Sequence, residues 1–181
     1  MKRELDHRSA EERFETVFSH LGAITAYARR RGSRDAEAIA AEAMTIAWRR
    51  LADVPADDPQ PWLYATARNL VRAEARRAAQ TTAAHPREPE RVAPAPEFRE
   101  LDPGLSRALR SLSQLDREAL LLVAWEDLTP AQAAEALSIN PVAFRVRLLR
   151  ARRRFRASLG GSSDESRPPA PVAQFDEGGA R

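Results

Sequence analysis

Between Ala78 and Pro103 the chain holds five prolines, and Val92, Phe98 and Leu101 are its only large apolar side chains. Such a stretch can neither continue a helix nor bury itself in a core. It divides the 181 residues into two parts that each carry apolar periodicity of their own. As a flexible coil its 26 residues span roughly 28 Å. Abundant Ala and few β-branched residues favour helix over sheet in both parts. The expectation is an all-α protein of two small helical domains on a flexible linker: residues 9–77, a linker at 78–103, residues 104–159, and a disordered Gly/Pro/Ser-rich tail at 160–181.

In the first part, Phe14, Val17, Phe18, Leu21, Ile24 and Ala28 recur at three- and four-residue steps. They predict one helix from about Ala10 to Arg31, opened by a Ser9/Glu12 capping box and stopped by Gly32. A second helix, from after Ser33 to about Ala52, carries two stripes: Ile39, Ala43, Ile46, Ala47 and Arg50 on one side, Met44, Trp48 and Leu51 on the other. Two stripes predict cover on more than one side, by the bundle or by a partner. The Pro-rich loop Asp53–Pro61 precedes a third helix with Pro61 in its first turn. Trp62, Thr66, Leu70 and Ala73 are its predicted buried stripe, and Arg68, Asn69, Arg72, Arg76 and Arg77 its polar, cationic side.

In the second part, Leu105, Ala108, Leu109 and Leu112 predict a short amphipathic helix, and Asp116 a cap for a helix through Ala124. Thr129-Pro130-Ala131-Gln132 is a capping box with Pro in the first turn. Ser138-Ile139-Asn140 is a tight connection, and Asn140-Pro141 opens a long last helix to about Leu159. A short helix, a three-residue turn and a capped second helix form a helix-turn-helix pattern.

Charge marks this last helix as the reader. The chain carries 29 basic and 26 acidic residues, a net +3. Residues 138–159 hold seven arginines and no acid, so this window is +7 and the remainder −4. A localised cationic helix on a weakly acidic body points to a polyanion contact. Phe144, Leu148, Ala151 and Phe155 form the predicted inward face. Val142, Ala143, Arg145 and Val146 lie near the N-terminal end, where base edges come within reach. Arg147, Leu149, Arg150, Arg152 and Arg153 complete the candidate DNA-binding set, with the later arginines as phosphate clamps. If about four arginines neutralise phosphates, log K falls with log salt at a slope of about −3.6.

Other classes of function are excluded by composition. Without Cys there is no disulfide scaffold, thiolate metal site or Cys nucleophile, and the three His form no metal pair on one helix face. Asp57 and Asp58 are adjacent loop carboxylates without a matching His or Lys, so no catalytic set is expected. No cofactor is expected either. No apolar run approaches a membrane span, and the charged N-terminus leads into no apolar segment. The expected location is the cytoplasm.

Trp62-Leu63-Tyr64-Ala65-Thr66-Ala67-Arg68-Asn69, with Arg76-Arg77 downstream, resembles the WLxxxARN…RR signature of the extracytoplasmic-function (ECF) sigma factors. Asp35-Ala36-Glu37 and Ala47-Trp48-Arg49 resemble the preceding helix of that family's N-terminal domain. Asp116-Arg117-Glu118, Ala133-Ala134 and Arg147-Leu148-Leu149-Arg150-Ala151-Arg152 resemble its C-terminal domain. The resemblance covers about Phe14–Arg77 and Leu105–Leu159. It implies a protein that binds core RNA polymerase and promoter DNA, with an anti-sigma factor as a further partner and no membrane association. It assigns Arg68, Asn69, Arg72, Arg76 and Arg77 to capture and melting of the minus-ten element, and the last helix to the minus-thirty-five duplex. Polymerase binding falls to Ile39, Glu42, Ala43, Ile46, Arg49 and Arg50.

The sequence departs from the family at two surfaces. Where the family commonly reads DAEDLVQETF, this chain has an acidic position replaced by Ala38 and a Gln position by Ala41, on the face that grips polymerase. Val146 and Leu149 stand where polar residues are usual in the last helix, which suggests altered base reading with thymine methyl contacts. The competing reading is a helix-turn-helix regulator that does not act through core polymerase. It accounts for Ala38 and Ala41 and leaves the WLYATARN run unexplained.

Overall fold

The computed structural model describes residues 2–84 and 102–160. Eight α-helices run in the order α1 (Lys2–Phe18), α2 (Leu21–Arg30), α3 (Ala36–Arg49), α4 (Gln60–Ala84), α5 (Pro103–Arg110), α6 (Gln114–Ala124), α7 (Pro130–Ala136) and α8 (Pro141–Gly160). A 3-10 turn, Leu51–Asp53, lies between α3 and α4. The described residues are thus all-helical, in two regions. The tail at 161–181 and most of the expected linker, 85–101, lie outside the described residues.

The predicted first helix is two helices. Val17, Ile24 and Ala28 are buried as the periodicity requires and Phe14 and Leu21 are half-buried, but Phe18 is exposed and the chain breaks between Phe18 and Leu21. There the Ser19 hydroxyl donates back to the Thr16 carbonyl, at 2.6 Å, a bond that competes with helix continuation. Ser9 lies within α1, so the Ser9/Glu12 box does not open that helix. Gly32 supplies the stop with φ of 76°, in the left-handed region. Asp35 caps α3 by accepting from the Ala38 amide at 2.8 Å.

α4 differs from expectation in length and in register. It continues through 78–84, which the sequence assigns to the linker. Its buried side chains are Pro61, Leu63, Tyr64, Ala67 and Val71, while Trp62, Thr66, Leu70 and Ala73 are half-buried. The stripe is rotated because α4 packs on two sides, against α2 and α3 and also against α7. A four-member satellite of Ala28, Ala36, Ile39 and Val71 closes the α2–α3–α4 contact.

In the second region Asp102 caps α5, accepting from Gly104 and Leu105 amides at 2.8 and 3.2 Å. Ser113, not Asp116, caps α6, accepting from the Asp116 amide at 3.2 Å. The Thr129/Gln132 box forms in full. Ser138, at φ of 55°, turns the chain toward α8. Asn140 caps α8, accepting from the Val142 amide at 2.9 Å. Phe144, Leu148 and Ala151 are buried against α5, α6 and α7, with Phe155 half-buried.

One hydrophobic core runs through both regions, from Val17, Tyr27 and Leu63 to Leu122, Ala134 and Phe144. The two helical regions are therefore packed together among the described residues, a contact the sequence did not foretell. Long-range burial of this kind leaves no trace in local periodicity.

Candidate nucleic-acid interface

α8 presents three kinds of face. Its inward stripe is Phe144, Leu148, Ala151 and Phe155. At about 100° of turn per residue, Val142, Val146, Leu149 and Arg153 fall on the opposite side. Val142, Val146 and Leu149 are 68%, 44% and 51% exposed, which places them among the few large apolar side chains left in solvent. Arg145, Arg152 and Arg156 line one flank, and all three are exposed. Arg147 and Arg154 line the other, with Arg150 and Ala143 between that flank and the outward stripe.

Asp116 organises the second flank. Its carboxylate is buried and accepts from Arg147 at 2.7 Å and from Arg154 at 3.1 Å. Two guanidinium groups around one carboxylate leave a local charge of +1 and unused N–H donors, so the pair stays cationic while its orientation is fixed. Asp116, Ala143, Val146, Arg147, Arg150 and Arg154 surround a shallow depression of about 400 Å³. Asp116 thus serves as an orienting group, a role its expected capping position did not suggest.

The candidate residues of α4 separate. Asn69, Arg72 and Arg76 are exposed and share one strip, with exposed Arg77 to its side. Arg68 is withdrawn from them. Its guanidinium makes an ion pair of 3.0 Å with Glu118 of α6, and the two side chains are only 13% and 9% exposed. In this arrangement Arg68 spends its donors on the second region. Trp62, half-buried, lies 5.9 Å beneath the Arg50 guanidinium rather than free for stacking.

Glu126, after α6, is a second junction between the regions. Its buried carboxylate accepts from Arg30 and, at 3.3 Å, from the Tyr64 hydroxyl. Gln132 donates to Asp58 at 2.7 Å nearby. Tyr64 and Tyr27 pack edge to face at 5.2 Å. Burial pushes both phenols above the ordinary value of about 10, and for Tyr64 the Glu126 carboxylate adds to the effect. A raised folded-state value means that the unfolded chain loses its protons first. Their contribution to stability is therefore fully present below about pH 10 and falls as pH rises beyond it. Thermal unfolding midpoints from about pH 8 to pH 11 should fall in the upper part of that range, and Tyr64→Phe should flatten the fall.

Of the six residues expected to meet polymerase, Ile39 and Ala43 are core positions, Ile46 is half-buried, and Glu42, Arg49 and Arg50 are exposed. The exposed apolar surface nearby is a groove of about 420 Å³ lined by Phe14, Phe18, Leu21, Met44 and Trp48, with Ala41 at its edge. Phe14 meets Trp48 edge to face at 5.0 Å. The second stripe of α3 had pointed to Met44 and Trp48. The share of α1 and α2 was not legible, because it needs the break at Ser19-His20.

No group of three or more potential metal ligands occurs among the described residues. None of their helices is long and apolar enough to cross a membrane.

Residues 104–155 match the model for sigma-70, region 4. The chain is similar in fold to the sigma factor RpoE solved in complex with the anti-sigma factor NepR from Bartonella quintana, at 24% identity over 81% of this chain and 95% of that one, with a TM-score of 0.59. It is likewise similar to CnrH in complex with the cytosolic domain of CnrY, at 24% identity over 91% of this chain and 98% of that one, with a TM-score of 0.58. No curated protein matches it. Residues 104–155 thus belong to the sigma-70 region 4 family, in a chain with the fold of a sigma factor, and the resemblance is borne out in its C-terminal domain and its fold.

Proposed function

We propose that this protein binds core RNA polymerase and directs it to promoters, acting by binding and not by catalysis. The observation that carries the reading is α8: a capped helix in a region 4 domain, with arginines on both flanks and no acid along its length. A duplex major groove, about 12 Å wide, admits such a helix and places a phosphate wall beside each flank. Opening DNA without ATP requires capture of unstacked bases on a cationic surface. Asn69, Arg72, Arg76 and Arg77 supply that surface, joined by Arg68 once its bond to Glu118 is released. Glu42, Ile46, Arg49 and Arg50 are the residues left to meet polymerase. An anti-sigma factor, of the kind that accompanies RpoE in its solved complex, is the proposed protein antagonist.

Pull-down with core polymerase tests the reading. A complex at micromolar protein is expected, and none at that concentration would sink it in favour of a regulator that works without polymerase. That second reading has one observation in its favour: Ala38 and Ala41 stand where the family carries polar side chains, and both are exposed.

Arg145 lies on the flank of α8, roughly 100° from Val146 around the helix. Arg145→Ala should therefore weaken binding nearly equally across promoter variants and lower the salt slope by about 0.9. A change in base preference would instead make Arg145 a reader.

A further inference from the structure

Over its first half, the side of α8 opposite the core is apolar. Val142, Val146 and Leu149 stand at i, i+4 and i+7, with Arg153 next in line, and are 68%, 44% and 51% exposed. No packing explains them: the inward stripe of Phe144, Leu148 and Ala151 already fills the core side. Arg153 apart, the arginines lie on or beside the flanks, and Asp116 holds two of them there. A helix seated in a major groove turns its flanks to phosphates and its outermost stripe to the groove floor. That is the position at which bases are read.

Valine and leucine have no donor or acceptor. Facing guanine, adenine or cytosine, they would desolvate polar base edges without replacing their hydrogen bonds. The one apolar group on the groove floor is the C5-methyl of thymine. 5-Methylcytosine carries the same group at the same ring position.

We propose that the Val142–Val146–Leu149 stripe reads pyrimidine C5-methyl groups, so that the duplex selected by α8 carries thymine where the stripe faces it. From Val142 to Leu149 the helix rises about 10 Å at 1.5 Å per residue, which spans about three base-pair steps of 3.4 Å. The selected element therefore contains methyl-bearing pyrimidines within a window of roughly three or four base pairs. The arginines of α8 favour this occupant over an apolar protein surface, since seven guanidinium groups, with Asp116 the carboxylate set between two of them, suit a polyanion. The inference rests on the DNA-reading role proposed for α8.

The test uses the full chain with core polymerase to enrich duplexes from a randomised pool. Each thymine of the enriched site is then replaced by deoxyuridine, which removes the methyl and leaves every hydrogen-bonding group in place. Burial of one CH₂-sized group is worth about 0.8 kcal/mol, so the expected loss is about three- to fivefold per methyl facing the stripe. The loss should disappear at the matching position in Val146→Ala or Leu149→Ala, both at exposed sites that leave the core untouched. An enriched site on which uracil costs nothing overturns methyl reading and leaves the promoter-binding role standing. If no duplex is enriched, both fall. Alanine variants that bind DNA normally but lose a protein antagonist would reassign the stripe to that partner and overturn the proposal.

Discussion

Glu126→Ala should lower the unfolding free energy by about 2–4 kcal/mol. The Glu126 side chain is 3% exposed and its ion-pair partner Arg30 is 30% exposed. Removing one member of a buried pair costs about 3–5 kcal/mol, because the other is left uncompensated; the partial exposure of Arg30 softens that figure. The substitution also leaves the Tyr64 hydroxyl without its acceptor. Glu126→Gln retains an acceptor while removing the charge and should fall between the two proteins. Urea unfolding monitored by helical circular dichroism measures both. A change below about 0.5 kcal/mol, the range of an ordinary surface substitution, would show that the junction between the regions contributes little.

The second large effect is expected at Phe144. Its side chain is fully buried where α8 meets the rest of the helix-turn-helix. Phe144→Ala leaves a cavity worth about 3–5 kcal/mol. Set against a total stability of about 5–15 kcal/mol, that is enough to unfold the second region or leave it marginal, with DNA binding lost alongside. Val146→Ala, two residues away on the opposite face, should change stability by less than about 0.5 kcal/mol. The pair of variants checks which side of α8 faces inward. Equal destabilisation by both would contradict the face assignment.

How much of this was legible in the sequence depends on the range of the interaction. Caps act within three residues, so Thr129 with Gln132 and Asn140 with Pro141 marked the starts of α7 and α8 correctly. The inward stripe of α8 was equally plain, because one helix packs one stripe. The break at Ser19-His20 was not legible, because the apolar periodicity runs on from Phe14 to Ile24 without interruption. α4 was misread by a register, since its sequence has to serve α2, α3 and α7 together. Asp116 shows the ambiguity most clearly. Three residues after Ser113 and rich in local hydrogen-bonding options, it reads as a cap, yet its carboxylate serves Arg147 and Arg154, 31 and 38 positions away.

The same reasoning explains the candidate site. The exposed residues of α8 and the Asn69–Arg72–Arg76 strip followed from charge and spacing. Arg68 did not, because its partner Glu118 lies 50 positions along the chain in the other region. Ile39 and Ala43 matched the family's polymerase-binding helix by position, but their side chains are taken up by the core. Of the residues proposed to meet polymerase, Glu42, Arg49 and Arg50 remain exposed and Ile46 half-buried.

Run-off transcription with purified core polymerase on genomic fragments tests the central claim most directly. The account predicts transcripts of discrete length that require the full chain and start downstream of an element bound by α8. Transcription that is no different with and without the protein, from a polymerase shown to be active with another sigma factor, would contradict it.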